Sequence, residues 1–171
     1  MNIQIRKAKS EDAESWGRIT KEAWLETYVS EENNITRDDI LLKDFDSPNK
    51  IQKWRDSFAN QKDDRLFLSA EVDSEVVGLL TGLKHDKINE IGAIYVLPKC
   101  HGQGIGSALI KKAIIEFGPT KNIKLNVVSY NQKAIGFYKK HGFWENGPFD
   151  DKREHLPNGK KLPEIEMIKN S

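Results

Sequence analysis

Three glycines at alternate positions are the feature of this sequence best suited to chemistry. They lie in the stretch Gly102-Gln-Gly-Ile-Gly106, which follows an apolar run ending at Pro98 and precedes an amphipathic helix. Residues without Cβ let a ligand approach the backbone N–H groups of a first helical turn, which carry partial positive charge. The pattern therefore predicts a loop, Gly102 to Ser107, that grips a phosphate-bearing ligand. A tight turn without a ligand is the alternative.

The spacing excludes two common nucleotide-binding loops. A dinucleotide-binding fingerprint needs G-x-G-x-x-G and an acidic residue about 20 positions later. Here the third glycine comes one residue early, and the next predicted strand, Ile123 to Val128, contains no acid. A Walker loop needs Gly-Lys followed by Ser or Thr, and the sequence has none. The spacing therefore disfavours these two nucleotide-binding folds and leaves another phosphate-bearing ligand or a tight turn as the alternatives.

The composition predicts a single domain over residues 1–171 with neither a nucleic-acid nor a membrane partner. The net charge is +1, without a basic stripe. No apolar run approaches the roughly 20 residues that span a bilayer, and the N-terminus has no apolar signal segment. The lone Cys100 rules out an intrachain disulfide, and the histidines lack metal-ligand spacing. We therefore expect a cytoplasmic protein without a bound metal.

Hydrophobic periodicity predicts the elements that must position the loop. Strands are predicted near 3–5, 65–72, 76–83, 88–97, 122–129, 143–149 and 162–168, and helices near 10–28 and 38–43 and after 47, 105 and 131. We expect Ser10 to cap the first long helix. We expect Gly92 to allow a bulge that separates its strand from the strand at Leu125. The order of elements favours an α+β fold with a mostly antiparallel sheet.

Two separated blocks resemble the GNAT superfamily of acetyl-CoA-dependent N-acetyltransferases. The first joins Ile94-Tyr-Val-Leu-Pro98 to His101-Gly-Gln-Gly-Ile-Gly106, in which the histidine replaces the usual Gln or Arg. The second is Leu125-Asn-Val followed by the stretch from Asn131 to Phe143, with the Phe-Tyr pair that ends at Tyr138. The resemblance implies a GNAT fold with a mixed, mostly antiparallel sheet of six or seven strands and helices on both faces. The N-terminal helices look like those of microbial members, some of which resemble polyamine acetyltransferases.

The resemblance also implies how the cosubstrate acetyl-CoA would bind. The backbone of the strand before the loop would pair with the pantetheine amides, and the amides of the loop would hold the pyrophosphate. Asn131 would hydrogen-bond the cofactor, although it could simply cap its helix. Histidine and lysine side chains would either contact phosphate or be solvated. The implied cofactor-binding residues are Ile94, Tyr95, Val96, His101, Gly102, Gln103, Gly104, Ile105, Gly106, Ser107, Asn131 and Lys140.

Amide formation requires two proton transfers. The amine acceptor must lose a proton before it attacks, and the leaving thiolate benefits from gaining one. By resemblance, Tyr138 is the general acid, and Glu90, near the start of the cofactor strand, is a base that acts through water. Each residue has a plainer role: Tyr138 could pack on its helix, and Glu90 could be merely exposed. A water chain to backbone carbonyls could also serve as the base.

The N-terminal helices form one wall of the acceptor cleft in this family, which implies that Trp24 and Tyr28 contact the acceptor. Packing of these aromatics on the sheet is the alternative. Acidic residues in this region favour a cationic acceptor such as a polyamine or a lysine-like amine: Glu26, Glu31, Glu32, Asp38 and Asp39. The implied reaction is direct attack by a primary amine of a small molecule or a peptide on acetyl-CoA in a ternary complex. A non-catalytic acyl-CoA sensor is the alternative, and the last two strands could support a homodimer.

Overall fold

The computed structural model describes residues 2–149 and 155–171, and its elements follow the predicted order. Short 3-10 turns at Ser10–Asp12 and Pro98–Cys100 precede two of the helices. Within the described residues, the helices and strands are β1 (Ile3–Lys7), α1 (Ala13–Thr27), α2 (Arg37–Leu41), α3 (Pro48–Ala59), β2 (Arg65–Val72), β3 (Glu75–Leu83), β4 (Asn89–Val96), α4 (Ile105–Phe117), β5 (Ile123–Val128), α5 (Gln132–Lys140), β6 (Trp144–Phe149) and β7 (Glu164–Lys169).

All of these strands belong to one mixed sheet with the order β1-β2-β3-β4-β5-β7-β6. Neighbouring strands are antiparallel except β4 and β5, which run parallel from Asn89↔Ile123 to Ile91↔Leu125. A parallel pair needs a crossover connection, and α4 provides it. The predicted α+β fold, with a mostly antiparallel sheet of six or seven strands, is confirmed.

Helices cover both sides of the sheet, as the resemblance implies. On one side α1 packs against β3 and β4, and on the other side α4 packs against the same strands. The approach of α4 requires small residues on β3. A Cβ added to Gly82 would lie 2.7 Å from the Phe117 ring, and one added to Gly78 would lie 3.2 Å from the Ile105 side chain. We refer to the two sides of the sheet as the α1 face and the α4 face.

A buried polar network joins α1 to the sheet. The Trp16 indole N–H donates to Ser69 Oγ at 2.9 Å, and the Ser69 hydroxyl donates to Asp12 at 2.8 Å. The Arg6 guanidinium donates to both oxygens of Asp12, at 2.7 and 2.9 Å. Burial by itself would raise the pKa of Asp12, but hydrogen bonds from Arg6, the Lys9 N–H and Ser69 lower it below its usual value. The start of α1 is therefore held by an ion pair.

The predicted cap at Ser10 is wrong. Residues Ser10–Asp12 form a 3-10 turn, and α1 begins only at Ala13. The Ser10 hydroxyl instead donates to the Arg55 carbonyl in α3, at 3.1 Å. Asp12 accepts the Lys9 N–H at 2.9 Å. The Asp12 side chain thus bonds the backbone before the turn and gives α1 no side-chain cap, and Arg6 on β1 holds its carboxylate in place.

Candidate active site

Strands β4 and β5 separate beyond Ile91, and the separation has a local cause. Thr81 and Gly82 are consecutive on β3, but the β4 residues that face them flank Gly92, which is therefore an extra residue in its strand. A Cβ added to Gly92 would lie 2.9 Å from the Thr81 hydroxyl, so a larger residue would force a shift there. The bulge turns β4 away, and pairing with β5 ends at Leu125. This is the predicted bulge, and we call the gap beyond it the β4–β5 opening.

The glycine loop starts α4, directly after the turn that ends β4. Gly102 and Gly104 have φ angles of 78° and 84°, in the left-handed region that favours glycine. Among the described residues, nothing lies within 4 Å of a Cβ added to either one. The Ala108 N–H donates to the Gly104 carbonyl at 3.0 Å, which begins the hydrogen bonding of the helix. The amides that precede Ala108 are therefore donors that the helix itself does not use.

Side chains next to the loop lie within hydrogen-bond distance of other groups of the protein. His101 Nε2 lies 3.0 Å from the Val96 carbonyl oxygen, and His101 Nδ1 lies 3.0 Å from Lys133 Nζ. Ser107 Oγ lies 3.1 Å from His141 Nε2. Burial, helped by a neighbouring lysine, lowers the pKa of His141 below its usual value. His141 is therefore neutral at pH 7.

The remaining cofactor candidates differ in what they offer a ligand. Asn131 caps α5, because its Oδ1 accepts the Ala134 N–H at 3.0 Å. The Ile105 side chain is buried in the core, so only its backbone faces the loop. Gln103 and Lys140 are exposed. The structure thus supplies the loop mainly with backbone donors.

Tyr138 is buried on α5 and is 8 % exposed. Its ring meets Phe143 edge-on, with centroids 6.0 Å apart. Burial raises the pKa of Tyr138 well above its usual value, and the charge of Tyr95 raises it further. Burial and the neighbouring groups Tyr95, Glu164 and Tyr138 raise the pKa of Tyr28 in the same way. A protonated phenol is thus held on α5, close enough to Tyr95 and Tyr28 for their charges to interact.

Glu90 lies on β4 before the bulge, opposite Lys124 of β5. Glu90 Oε2 is 3.6 Å from Lys124 Nζ and 3.8 Å from His85 Nε2, which are longer than hydrogen-bond distances. Lys124 Nζ also lies 3.9 Å from Glu166 Oε2. The structure therefore places Glu90 in a partly exposed group of charges at the start of the opening.

An aromatic network covers the opening on the α1 face. Trp24 and Tyr28 stack with ring centroids 4.1 Å apart. The Trp24 indole N–H donates to Tyr95 Oη at 2.9 Å, and the hydroxyls of Tyr28 and Tyr95 are 3.4 Å apart. The Tyr130 hydroxyl donates to the Tyr28 carbonyl at 2.9 Å. The side chain of Tyr95, which the sequence assigned to the cofactor strand, therefore joins the two residues assigned to the acceptor.

A cavity of about 210 Å³ lies beside this network, between α1, the segment that leads into α3, and strands β3 and β4. Its walls are mostly aromatic and aliphatic. Lys43 Nζ lies 4.3 Å from the centroid of the Trp24 ring, and Lys50 Nζ lies 5.2 Å from that of Trp54. The cavity is lined by Trp16, Thr20, Trp24, Lys43, Asp44, Phe45, Lys50, Trp54, Leu79, Thr81, Ala93 and Tyr95.

The acidic residues of the N-terminal region do not line this cavity. Asp39 pairs with Lys160 at 2.6 Å and accepts bonds from Thr36, and these contacts hold its pKa well below the usual value. Glu26 Oε1 lies 3.7 Å from His101 Nδ1. The others point to solvent: Glu31, Glu32 and Asp38. The carboxylate that does line the cavity, Asp44, is hydrogen-bonded to Ser47.

A family model described as the acetyltransferase (GNAT) family matches residues 14–143, from the start of α1 to just beyond α5. This match includes the opening, the glycine loop and Tyr138. The chain belongs to the GNAT family.

Relatives and solved structures agree with this assignment. An uncharacterized N-acetyltransferase of Methanocaldococcus jannaschii is 30 % identical over 135 residues, which cover 66 % of this chain and 59 % of that protein. Spermidine N(1)-acetyltransferase of Thermoplasma acidophilum is 26 % identical over 145 residues, which cover 84 % of this chain and 89 % of that protein. The crystal structure of the PaiA N-acetyltransferase from Thermoplasma acidophilum in complex with coenzyme A has a TM-score of 0.74 at 25 % identity and covers 100 % of both chains. The chain spans 59 % and 55 % of the archaeal and mycobacterial relatives that it matches first.

Sequence reasoning missed two residues beside this candidate site. Asn126 of β5 lies at the opening, and its Oδ1 is buried without a hydrogen-bond partner among the described residues. Glu164 of β7 is buried, and its charge raises the pKa of Tyr28 and of Tyr130. Alternation along β5 could have placed Asn126 on the opposite side from Leu125. Glu164 carried no comparable signal, because its neighbours come from distant segments.

Three further observations concern the rest of the described molecule. A larger recess of about 560 Å³ lies at the β1–β2 edge of the sheet, but its charged residues Arg6, Asp12 and Glu71 pair with one another. In residues 2–149 and 155–171, no group of three or more His, Cys, Asp or Glu residues is placed to hold a metal ion. Every helix in the same residues is too short or too polar to cross a bilayer.

Proposed function

We propose that this chain is an acetyl-CoA-dependent N-acetyltransferase that acts on a primary amine of a small molecule, polyamine-like, or of a peptide. The observation that carries the proposal is the β4–β5 opening, which lies between a loop with free amide donors and a buried, protonated Tyr138. Direct attack in a ternary complex fits this layout, because cofactor and acceptor reach the opening from opposite faces of the sheet.

The residues present fit the cosubstrate. The amides from Gly102 to Ser107 would bind the pyrophosphate, and the open space beside Gly102 and Gly104 would admit it. The edge of β4 beyond its pairing with β5, at Ile94 to Val96, would align the pantetheine by backbone pairing. Acetyl-CoA supplies an activated thioester carbonyl. The coenzyme A complex of the Thermoplasma structure supports this assignment.

Two side chains would handle the protons. Tyr138 would protonate the leaving thiolate, for which its raised pKa keeps the proton available across neutral pH. Glu90 would accept a proton from the acceptor ammonium through water, and Lys124, 3.6 Å away, would hold the carboxylate in place. A water chain to backbone carbonyls remains the competing route for this first proton.

The α1 face would receive the acceptor. The cavity beside Trp24 reaches Ala93 and Tyr95 on the cofactor strand, so a group bound there lies next to the opening. The relatives include a spermidine N(1)-acetyltransferase and, at 34 % identity over 105 residues, a peptidyl-lysine N-acetyltransferase of Salmonella typhimurium. Both act on primary amines, which supports that acceptor class for this chain.

A screen of acceptors with release of free thiol as the readout tests the proposal. The screen would include spermidine, putrescine, a lysine-containing peptide, an alanine-starting peptide and phenethylamine. We expect at least one amine to release coenzyme A far above the rate of acetyl-CoA hydrolysis. Tight binding of coenzyme A without release for any amine would favour the alternative, a non-catalytic acyl-CoA sensor. Cytoplasmic location and a homodimer built on the last two strands stay predictions.

A further inference from the structure

The side-chain oxygen of Asn126 is a buried polar atom whose lack of a hydrogen-bond partner the proposed mechanism leaves unexplained. Asn126 is the first β5 residue after Leu125, where pairing with β4 ends. Side chains alternate along a strand, so Asn126 shares a face with Val128. Val128 packs in the cluster that contains Trp24 and Tyr28, on the α1 face. Asn126 therefore lies at the base of the β4–β5 opening, on the side from which the acceptor would come.

Asn126 Oδ1 is buried and has no hydrogen-bond partner among the described residues. A buried acceptor without a donor costs stability, and native structures keep few of them. An apolar residue at this position would avoid the cost. A polar atom kept unpaired at a reaction site is instead explained by a donor that arrives with a ligand.

We propose that Asn126 Oδ1 accepts a hydrogen bond from the acceptor nitrogen as that nitrogen attacks the thioester. This inference rests on the proposed function. An amide oxygen accepts a hydrogen bond but is not a base at neutral pH, so Asn126 orients the nitrogen and takes no proton from it. The bond strengthens as positive charge develops on nitrogen, because hydrogen bonds from charged donors are the stronger ones.

The ammonium loses one proton to the base, and the freed lone pair forms the C–N bond at the carbonyl carbon. The C–S bond then breaks with its electron pair on sulfur, and Tyr138 protonates that sulfur. The second proton that leaves nitrogen passes through water to the Tyr138 phenolate and restores the phenol. A primary amine keeps one hydrogen throughout, which becomes the N–H of the product amide. The hydrogen that Asn126 holds is this one, so its bond lasts from attack to product.

Two variants of Asn126 test the inference, using the acceptors that the wild type turns over in the screen. Asn126→Leu removes the unpaired oxygen while keeping similar volume. We expect kcat/KM for the amine to fall about 10- to 100-fold, KM for acetyl-CoA to stay unchanged, and the thermal midpoint to rise by about 2–4 °C. Asn126→Asp keeps an acceptor oxygen in place, so it should retain at least about ten times the activity of the leucine variant.

Asn122→Leu is the matched control, four residues earlier and just before β5. Its Oδ1 already accepts the Ser171 N–H at 3.1 Å. We expect this control to keep the wild-type rate and to gain no stability. Full activity in Asn126→Leu would overturn the inference. Lower stability together with higher KM for both substrates would also overturn it, since it would mark Asn126 as a packing residue. A wild type that acetylates no amine would instead refute the proposed function. The thermal midpoints of the variants do not test that function.

Discussion

The two halves of the proposed site consist of different kinds of chemical group. The proposed cofactor half, Gly102 to Ser107 with the edge of β4, offers mainly backbone groups from one continuous stretch. The proposed acceptor half, on the α1 face, consists of side chains from α1, β4 and the segment before α3 that meet only in the folded chain. A backbone site depends on where glycine is allowed, whereas a side-chain site depends on which residues come together.

The largest effect is expected where the two halves meet. Tyr138→Phe removes the hydroxyl that would protonate the thiolate and keeps the ring that packs on Phe143. We expect kcat to fall about 10²- to 10⁴-fold, with KM for acetyl-CoA nearly unchanged, because general acid catalysis is worth about that much. Steady-state kinetics with saturating amine measure it. An unchanged kcat would remove Tyr138 from the mechanism.

Two glycine variants distinguish an effect on cofactor binding from an effect of backbone strain. Gly104→Ala places a Cβ at a φ of 84°, and Gly118→Ala does so at 76°, at the end of α4. Both should lose about 1–2 kcal/mol of stability. Only Gly104→Ala should also weaken coenzyme A binding, by about tenfold or more, which calorimetry would measure. Equal affinities in the two variants would show that the loop does not hold the cofactor.

The stability of the protein at alkaline pH tests whether the phenols of Tyr28 and Tyr138 are buried. The pKa values of Tyr28 and Tyr138 lie above the usual 10 in the folded chain and return to it on unfolding. Above pH 10 the native state binds more protons, so the free energy of unfolding should fall as pH rises. In Tyr138→Phe the decline should be shallower by about 1.4 kcal/mol per pH unit. Urea titrations between about pH 8 and pH 11 would measure both slopes, and parallel curves for the two proteins would refute the burial of Tyr138.

Glu90 tests whether a side chain of the acceptor face supplies the base. Glu90→Gln should lower the rate about tenfold at neutral pH and should approach the wild type at high pH, where the amine is already neutral. Glu166→Gln is the control, because Glu166 also contacts Lys124 but lies on β7. A pH–rate profile unaltered in Glu90→Gln would assign the base to water and backbone carbonyls.

The smallest effect is expected in the aromatic network. Trp24→Phe removes the indole N–H that donates to Tyr95 Oη. We expect KM for the amine to rise about three- to tenfold with KM for acetyl-CoA unchanged. Trp54→Phe also alters the cavity wall but leaves that hydrogen bond intact, so it serves as the control. A rise in KM for acetyl-CoA in Trp24→Phe would place this network in the cofactor half.

The sequence predicts some parts of this molecule well because their cause is local. The bulge at Gly92 and the start of α4 after the loop follow from residues within a few positions of each other. The predicted cap at Ser10 was wrong because Ser10 lies in a 3-10 turn, where its hydroxyl donates to the carbonyl of Arg55, 45 residues further along the chain. A distant contact also changes the role of Asp39, one of the acidic residues from which the sequence predicts a cationic acceptor. Asp39 pairs with the distant Lys160 and does not line the cavity. The catalytic and binding roles of the individual residues stay predictions.

The fold and the family follow from the sequence alone, because alternating glycines, strand and helix periods and the Asn131 to Tyr138 stretch are short-range patterns. The hydrogen bond between Trp24 and Tyr95 and the buried, unpaired Oδ1 of Asn126 are seen only in the folded structure. These facts depend on contacts between residues far apart in the chain, where burial and partner geometry set the chemistry. The residue types alone do not carry that information.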